Sequence, residues 1–125
     1  MCSSEFNLQG TNMDYLPSKE LLSEVLGHKV WKVLGCNMWT LRYCIYPNKG
    51  DEPSEYMFPI NIHELAHKCK EWAKSQKLFI LSFPSPNEGL EGYWANLTNN
   101  THRAFAATEP EAIFQACQWI LDNRN

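Results

Sequence analysis

The fold of this chain is decided by residues 93–117, which read YWANLTNNTHRAFAATEPEAIFQAC. Two short segments, Tyr93 to Leu97 and His102 to Ala106, flank the polar tetrad Thr98-Asn99-Asn100-Thr101. Asparagine tolerates the left-handed backbone conformation that tight turns require. The stretch therefore predicts a β-hairpin.

A helix signal follows the hairpin directly. Thr108-Glu109-Pro110-Glu111 forms a capping box, in which the threonine accepts from the third backbone N–H and Glu111 reaches back. The apolar residues behind this box recur at helical spacing, which predicts a buried stripe. That stripe consists of Ala112, Ile113, Ala116, Cys117, Ile120 and Leu121.

Two further helices lie upstream. Pro17-Ser18 opens a short helix that Gly27 ends, and Asn61 opens a longer one that runs to about Gln76. Both contain apolar residues at helical spacing. These are Leu21, Leu22, Val25 and Leu26 in the first, and Leu65, Ala66, Cys69, Trp72 and Ala73 in the second.

Strand patterns fill the remaining chain. Alternation predicts one strand from His28 to Leu34, with a turn at Gly35-Cys36-Asn37, and a second with Trp39, Leu41, Tyr43 and Ile45 on one face. The continuous apolar run that ends at Leu81 is typical of a central strand covered on both faces. Pro47 to Pro59 is polar and rich in proline, which predicts an exposed loop that either binds a partner or only connects its neighbours.

The order of these elements indicates the fold class. We expect an α+β single-domain sandwich, with a mostly antiparallel sheet of about five strands packed with three helices. Residues 1–12 have little periodicity and are expected to be a disordered tail or a leader added by cloning. The single domain is then residues 13–125.

The composition argues against several classes of protein. The chain has 125 residues, and its longest apolar stretch, Leu78 to Leu81, is far shorter than the roughly 20 residues of a membrane crossing. We therefore expect a soluble, cytoplasmic protein without membrane contact. A net charge of -3 without clustered Lys and Arg argues against nucleic-acid binding. The five cysteines include no Cys-x-x-Cys pair, so we expect reduced thiols.

One motif has known chemistry. His63-Glu64-Leu65-Ala66-His67 matches H-E-x-x-H, in which two histidines one helical turn apart hold zinc and the glutamate activates the metal-bound water. On this interpretation His63 and His67 are zinc ligands, and Glu64 is the catalytic base of a small zinc-dependent metallohydrolase resembling a metallopeptidase.

The surrounding sequence favours a structural role for the same residues. Asn61 is a good N-cap, and Glu64 falls at the third helical position, where it completes a capping box. The extended zinc signature fails, because Lys70 replaces its glycine and Ala73 its last histidine. We therefore expect no catalytic residue, metal or cofactor, and a solvated helix face instead. That face consists of His63, His67, Lys70 and Lys74.

Three segments carry a resemblance to a known family. They are Leu21–Gly27 (LLSEVLG), Ile62–Ala66 (IHELA) and Arg103–Cys117 (RAFAATEPEAIFQAC). Their order resembles the small phage-encoded "ABA sandwich" domains, in which a short leading helix precedes a central helix and a closing strand-helix unit. The chain departs from that family at Pro59-Ile60-Asn61, where a Tyr-Ser-Thr-like start is expected. The resemblance implies a phage origin and assigns no catalytic residue.

These observations favour a non-enzymatic binding protein of phage origin that acts on a host protein or a small ligand. The alternative is the zinc hydrolase that uses the HELAH segment. An uncovered sheet face, or the aromatic residues Trp31, Trp39 and Trp94, would also allow a homo-oligomer.

Overall fold

A computed structural model describes residues 16–37, 39–45, 57–98 and 102–124. These ranges contain three helices and six strands, so the α+β class is confirmed. The chain divides into two compact units, with the boundary after Leu65. The predicted tail, residues 1–12, and residues 47–56 of the predicted loop lie outside the described residues. The single domain stays a prediction.

The first unit contains one helix and an antiparallel sheet of order β1-β2-β3. Its helix begins where the Ser18 Oγ accepts from the Leu21 N–H at 3.0 Å. It ends at Gly27, which has the left-handed φ of 76° that the sequence predicted. The elements are α1 (Lys19–Leu26), β1 (Val30–Cys36), β2 (Thr40–Ile45) and β3 (Phe58–Asn61).

Three expectations for the first unit are wrong. Gly35 and Cys36 belong to β1, not to a turn, and the pairing register shifts between Val33 and Gly35. The end of the predicted loop forms β3, which pairs with β2; its Pro59 is tolerated because β3 is an edge strand. Trp39 lies outside β2, which begins at Thr40, and 60% of the Trp39 surface is exposed.

The second unit contains an antiparallel sheet of order β4-β5-β6. A helix packs on this sheet and contacts all three strands. The unit boundary falls within the preceding helix. The elements are α2 (Ile62–Ser75), β4 (Ile80–Pro84), β5 (Tyr93–Leu97), β6 (Arg103–Ala106) and α3 (Glu109–Asn123). The predicted pairing of the β5 and β6 segments is confirmed, whereas the one sheet of about five strands is replaced by two sheets of three.

Small side chains cover the helix side of this second sheet. Ala95 on β5 and Ala104 and Ala106 on β6 are buried, and their size lets α3 lie close to the strands. The predicted stripe of α3 is buried, except that Leu121 is only half-buried. The N-cap half of the capping box is confirmed, because the Thr108 Oγ1 accepts from the Glu111 N–H at 3.4 Å. The Glu111 carboxylate accepts from the Thr108 hydroxyl at 2.9 Å.

The expectation of a covered central strand at Leu81 is wrong. β4 is an edge strand of its sheet, and 57% of the Leu81 surface is exposed. The Ser85 N–H donates to the Gly92 carbonyl and the Thr98 N–H to the Phe79 carbonyl, so odd-numbered residues turn their backbone groups toward β5. Pro84 is even-numbered, so its backbone faces away from β5 and its missing N–H removes no hydrogen bond between the two strands.

No helix in the described residues combines the length and the apolar character of a membrane crossing.

Candidate functional site

The HELAH segment begins the helix α2. The Asn61 side-chain oxygen accepts from the His63 N–H at 2.8 Å and from the Glu64 N–H at 3.2 Å. These are the second and third N–H groups of a helix that starts at Ile62, so the predicted N-cap is confirmed. His63 and Glu64 consequently lie in the first turn of α2.

The three residues of the zinc hypothesis all point away from the core. His63, Glu64 and His67 are exposed, while the predicted apolar stripe of α2 is buried. Two histidines four positions apart share a helix face, but a zinc site needs at least one more protein ligand. Within the described ranges, no group of three or more His, Cys, Asp or Glu side chains is placed to hold a metal. The zinc interpretation stays a prediction.

Glu64 acts electrostatically on a tyrosine of the first unit. The pKa of Tyr43 is raised, first by burial of its ring and second by the negative charge of Glu64. Tyr43 also stacks on Phe58 of β3, with ring centroids 6.0 Å apart. The negative charge of Glu64 makes ionisation of the Tyr43 phenol less favourable, so Glu64 does not activate that phenol as a nucleophile or base.

A polar bridge joins three elements of the second unit. The Lys70 ammonium donates to the Ser82 Oγ at 2.8 Å, and the Ser82 hydroxyl donates to the Glu109 carboxylate at 2.6 Å. Lys70 lies on α2, Ser82 on β4 and Glu109 in the first turn of α3. Lys70 is therefore half-buried and bonded, which corrects its assignment to the solvated face of α2.

The chemistry of this bridge suits stabilisation of the fold. The Ser82 oxygen accepts a hydrogen bond from the Lys70 ammonium, which withdraws the electron density that a nucleophile needs. The carboxylate lies near the α3 N-terminus, where the helix dipole favours negative charge. The three groups satisfy one another, so we assign them to stability and not to catalysis.

The cysteines are enclosed in the fold. Cys36, Cys44, Cys69 and Cys117 are buried and carry thiols rather than disulfides. The Cys117 thiol contacts the Cys69 carbonyl oxygen at 3.4 Å. The pKa of Cys69 is raised well above its ordinary value by its hydrogen bond with Cys117 and by burial. Thiols in this setting are weak nucleophiles.

The second sheet has a side opposite α3, which we name the outer face. Ser82 faces α3 through its bond to Glu109, so the alternate residues of β4 and their pairing partners face the other way. Register places these residues in two rows across the strands. The aromatic row is Phe83, Trp94 and Phe105; the mixed row is Leu81, Asn96 and Arg103.

The outer face combines exposed apolar groups with one cation. Leu81 is 57% exposed, and Phe79, just before β4, is 49% exposed. The Trp94 and Phe105 rings tilt against each other with centroids 4.9 Å apart. The Arg103 guanidinium lies 5.9 Å from the centroid of the Trp94 ring, within the range of a cation–π contact.

The sequence contained a signal for this surface that the strand analysis did not use. In β5 and β6 the small residues Ala95, Ala104 and Ala106 alternate with the large residues Trp94 and Phe105. Alanine on one face lets a helix approach closely, whereas large aromatic side chains on the other face remain available for contacts. The alternation therefore indicated which side the helix covers.

Comparisons with protein-family models, curated proteins and solved structures found no match. The resemblance to the phage "ABA sandwich" domains stays a prediction.

Proposed function

We propose that this chain is a non-enzymatic binding protein of phage origin, which contacts a host protein or a small ligand through the outer face. The observation that carries the proposal is the exposure of large apolar groups on that face, above all Leu81 at 57%. Contiguous apolar surface costs free energy in water, and monomeric proteins commonly keep it where they bind partners.

The chemistry of the outer face supports a protein partner over a small ligand. Tryptophan, phenylalanine and arginine are the residue types that dominate protein interfaces. A small ligand is normally enclosed on several sides by a cleft. In the second unit, a cavity of about 350 Å³ lies elsewhere, lined in part by Trp119, Ile120 and Asn123. A broad sheet face suits another protein surface better.

The test compares two leucine-sized exposed side chains. Leu81→Ser alters the outer face, and Met57→Ser is the matched control, because Met57 is 59% exposed and belongs to the first unit. Neither change opens the core, so both variants should unfold at nearly the wild-type temperature. Each variant is immobilised and incubated with host lysate, and retained proteins are quantified by mass spectrometry.

We expect a retained host protein whose recovery falls about tenfold with Leu81→Ser and stays within about twofold with Met57→Ser. Retention of nothing, combined with no ligand-induced shift of Tm, would contradict the proposal. Equal recovery by both variants would contradict the assignment of the outer face.

The zinc hydrolase is separated from this proposal by metal analysis of protein purified without chelators. A hydrolase of the HELAH type requires near-stoichiometric zinc that disappears in His63→Ala and His67→Ala. Our proposal predicts a folded protein whose metal content is the same in wild type and in both variants.

A further inference from the structure

The mixed row of the outer face offers two unused polar groups side by side. Asn96 lies between Leu81 of β4 and Arg103 of β6 in the pairing register. Directly paired residues on one face have Cβ atoms about 5 Å apart. The Asn96 and Arg103 side chains can therefore contact neighbouring groups of the same partner. Leu81 extends the same row with an exposed apolar side chain.

The Asn96 side-chain oxygen is buried and accepts no hydrogen bond from the described residues. A buried acceptor without a donor destabilises the folded chain, and such groups are rare in folded proteins. A partner N–H would reach this oxygen after the terminal amide of Asn96 rotates toward the surface, and the new hydrogen bond would remove that cost. A peptide backbone supplies such donors at regular spacing.

Arg103 is exposed, and its guanidinium contacts the Trp94 ring within the described residues. No described carboxylate forms an ion pair with it, and the two rows contain no acidic residue. A guanidinium on an aromatic ring keeps N–H donors that match a carboxylate. The outer face is therefore complementary to an apolar surface with a single negative charge.

The same charge count argues against the other occupants. Nucleic acid needs several cations along its backbone, whereas the two rows contain Arg103 alone and the chain has a net charge of -3. A second copy of this face would bring Arg103 and apolar groups but no acid to pair with Arg103.

We infer that the outer face binds a segment of another protein that carries a carboxylate next to large apolar side chains. The carboxylate pairs with Arg103, a backbone N–H donates to the Asn96 oxygen, and the apolar side chains pack on Leu81 and on the aromatic row. This inference rests on the proposed function and specifies the partner of the same surface.

The experiment uses a displayed library of random twelve-residue peptides, selected separately on four proteins. These are the wild-type chain, Arg103→Glu, the face variant Leu81→Ser, and the control Lys74→Glu, which reverses an exposed charge on α2. Enriched peptides are synthesised, and their Kd values are measured by fluorescence anisotropy. All four proteins are checked for equal Tm.

We expect the wild type to enrich Asp or Glu beside Phe, Leu, Ile or Trp. Arg103→Glu should weaken the best peptide about tenfold or more and should enrich Lys or Arg instead, because the charge preference reverses. Lys74→Glu should change its Kd less than about twofold. This reversal is the supporting result, since a merely structural role of Arg103 would not produce it.

The contradicting outcomes are distinct. Enriched peptides that depend on Leu81 but show no acidic preference would overturn this inference and leave the proposed function standing. Peptides that bind Leu81→Ser and wild type equally, or no enrichment at all, would count against both. A single-stranded oligonucleotide is measured in the same anisotropy assay. If it binds the wild type more tightly than the best peptide and its binding is lost in Arg103→Glu, nucleic acid replaces the protein partner.

Discussion

Gly92, just before β5, is the position where one added methyl group should damage both the fold and the outer face. Its φ is 153°, a conformation that residues with a side chain rarely adopt. A Cβ atom there would lie 2.5 Å from the Phe105 ring and 2.6 Å from the Ala106 carbonyl oxygen. The ring can move, but the carbonyl belongs to the backbone of β6.

The magnitude follows from these two costs. A side chain at this φ costs about 1–2 kcal/mol. Overpacking against a fixed neighbour adds about 1–3 kcal/mol. Gly92→Ala should therefore lower the free energy of unfolding by about 3 kcal/mol. It should also displace Phe105 from Trp94, since the new methyl group overlaps that ring.

Gly89 provides the matched control. It also has a positive φ, 83°, but a Cβ there would meet no atom within 4 Å. Gly89→Ala should cost only the conformational part, about 1–2 kcal/mol. Urea denaturation followed by tryptophan fluorescence measures both values, and near-UV circular dichroism reports the Trp94 environment. Equal losses in the two variants would refute the steric argument.

Four further outcomes are expected from urea denaturation. Asn61→Ala should cost about 1 kcal/mol through loss of the N-cap, while Asn61→Asp, which keeps the acceptor, should cost less than half of that. Lys77 has a left-handed φ of 66°, so Lys77→Gly should stabilise by about 0.5–1 kcal/mol. Ser82→Ala should cost about 1.5 kcal/mol, because both charged neighbours lose their shared partner. Burial lowers the pKa of His102, so the unfolded chain binds the proton first. Stability should therefore fall as the pH drops below about 6.5, and His102→Phe, which keeps a ring beside Trp119, should reduce that slope.

Each outcome has a clear contradiction. An Asn61→Asp loss as large as that of Asn61→Ala would deny the cap. A destabilised Lys77→Gly would mean that its side-chain contacts outweigh the backbone strain. An unchanged Ser82→Ala would make the bridge energetically neutral. The same pH slope in wild type and His102→Phe would assign the titration to another group.

The candidate site could be predicted only in part. Asn61 identified the helix start, and that start placed His63 and Glu64 in an exposed first turn. Lys70 was assigned to solvent because its bond to Ser82 spans 12 residues of chain, and helical periodicity carries no information about such a partner. Arg103 was not identified from the sequence, because its place beside Asn96 and Leu81 depends on how the three strands pair.

Among the described residues, the sequence by itself determined the helices and the pairing of β5 with β6. Caps at Ser18, Asn61 and Thr108 act within three residues, so their physics is complete in the local sequence. The hairpin is similarly local, because its strands are neighbours along the chain.

Only the tertiary structure decided the division into two sheets, the inclusion of β3, and the edge position of β4. Strand pairing joins backbone groups that are alike in every residue, so the choice of partner depends on packing across the whole unit. A continuous apolar run is compatible with a covered central strand and also with an edge strand whose apolar side chains are exposed. The outer face exists because packing selected the second.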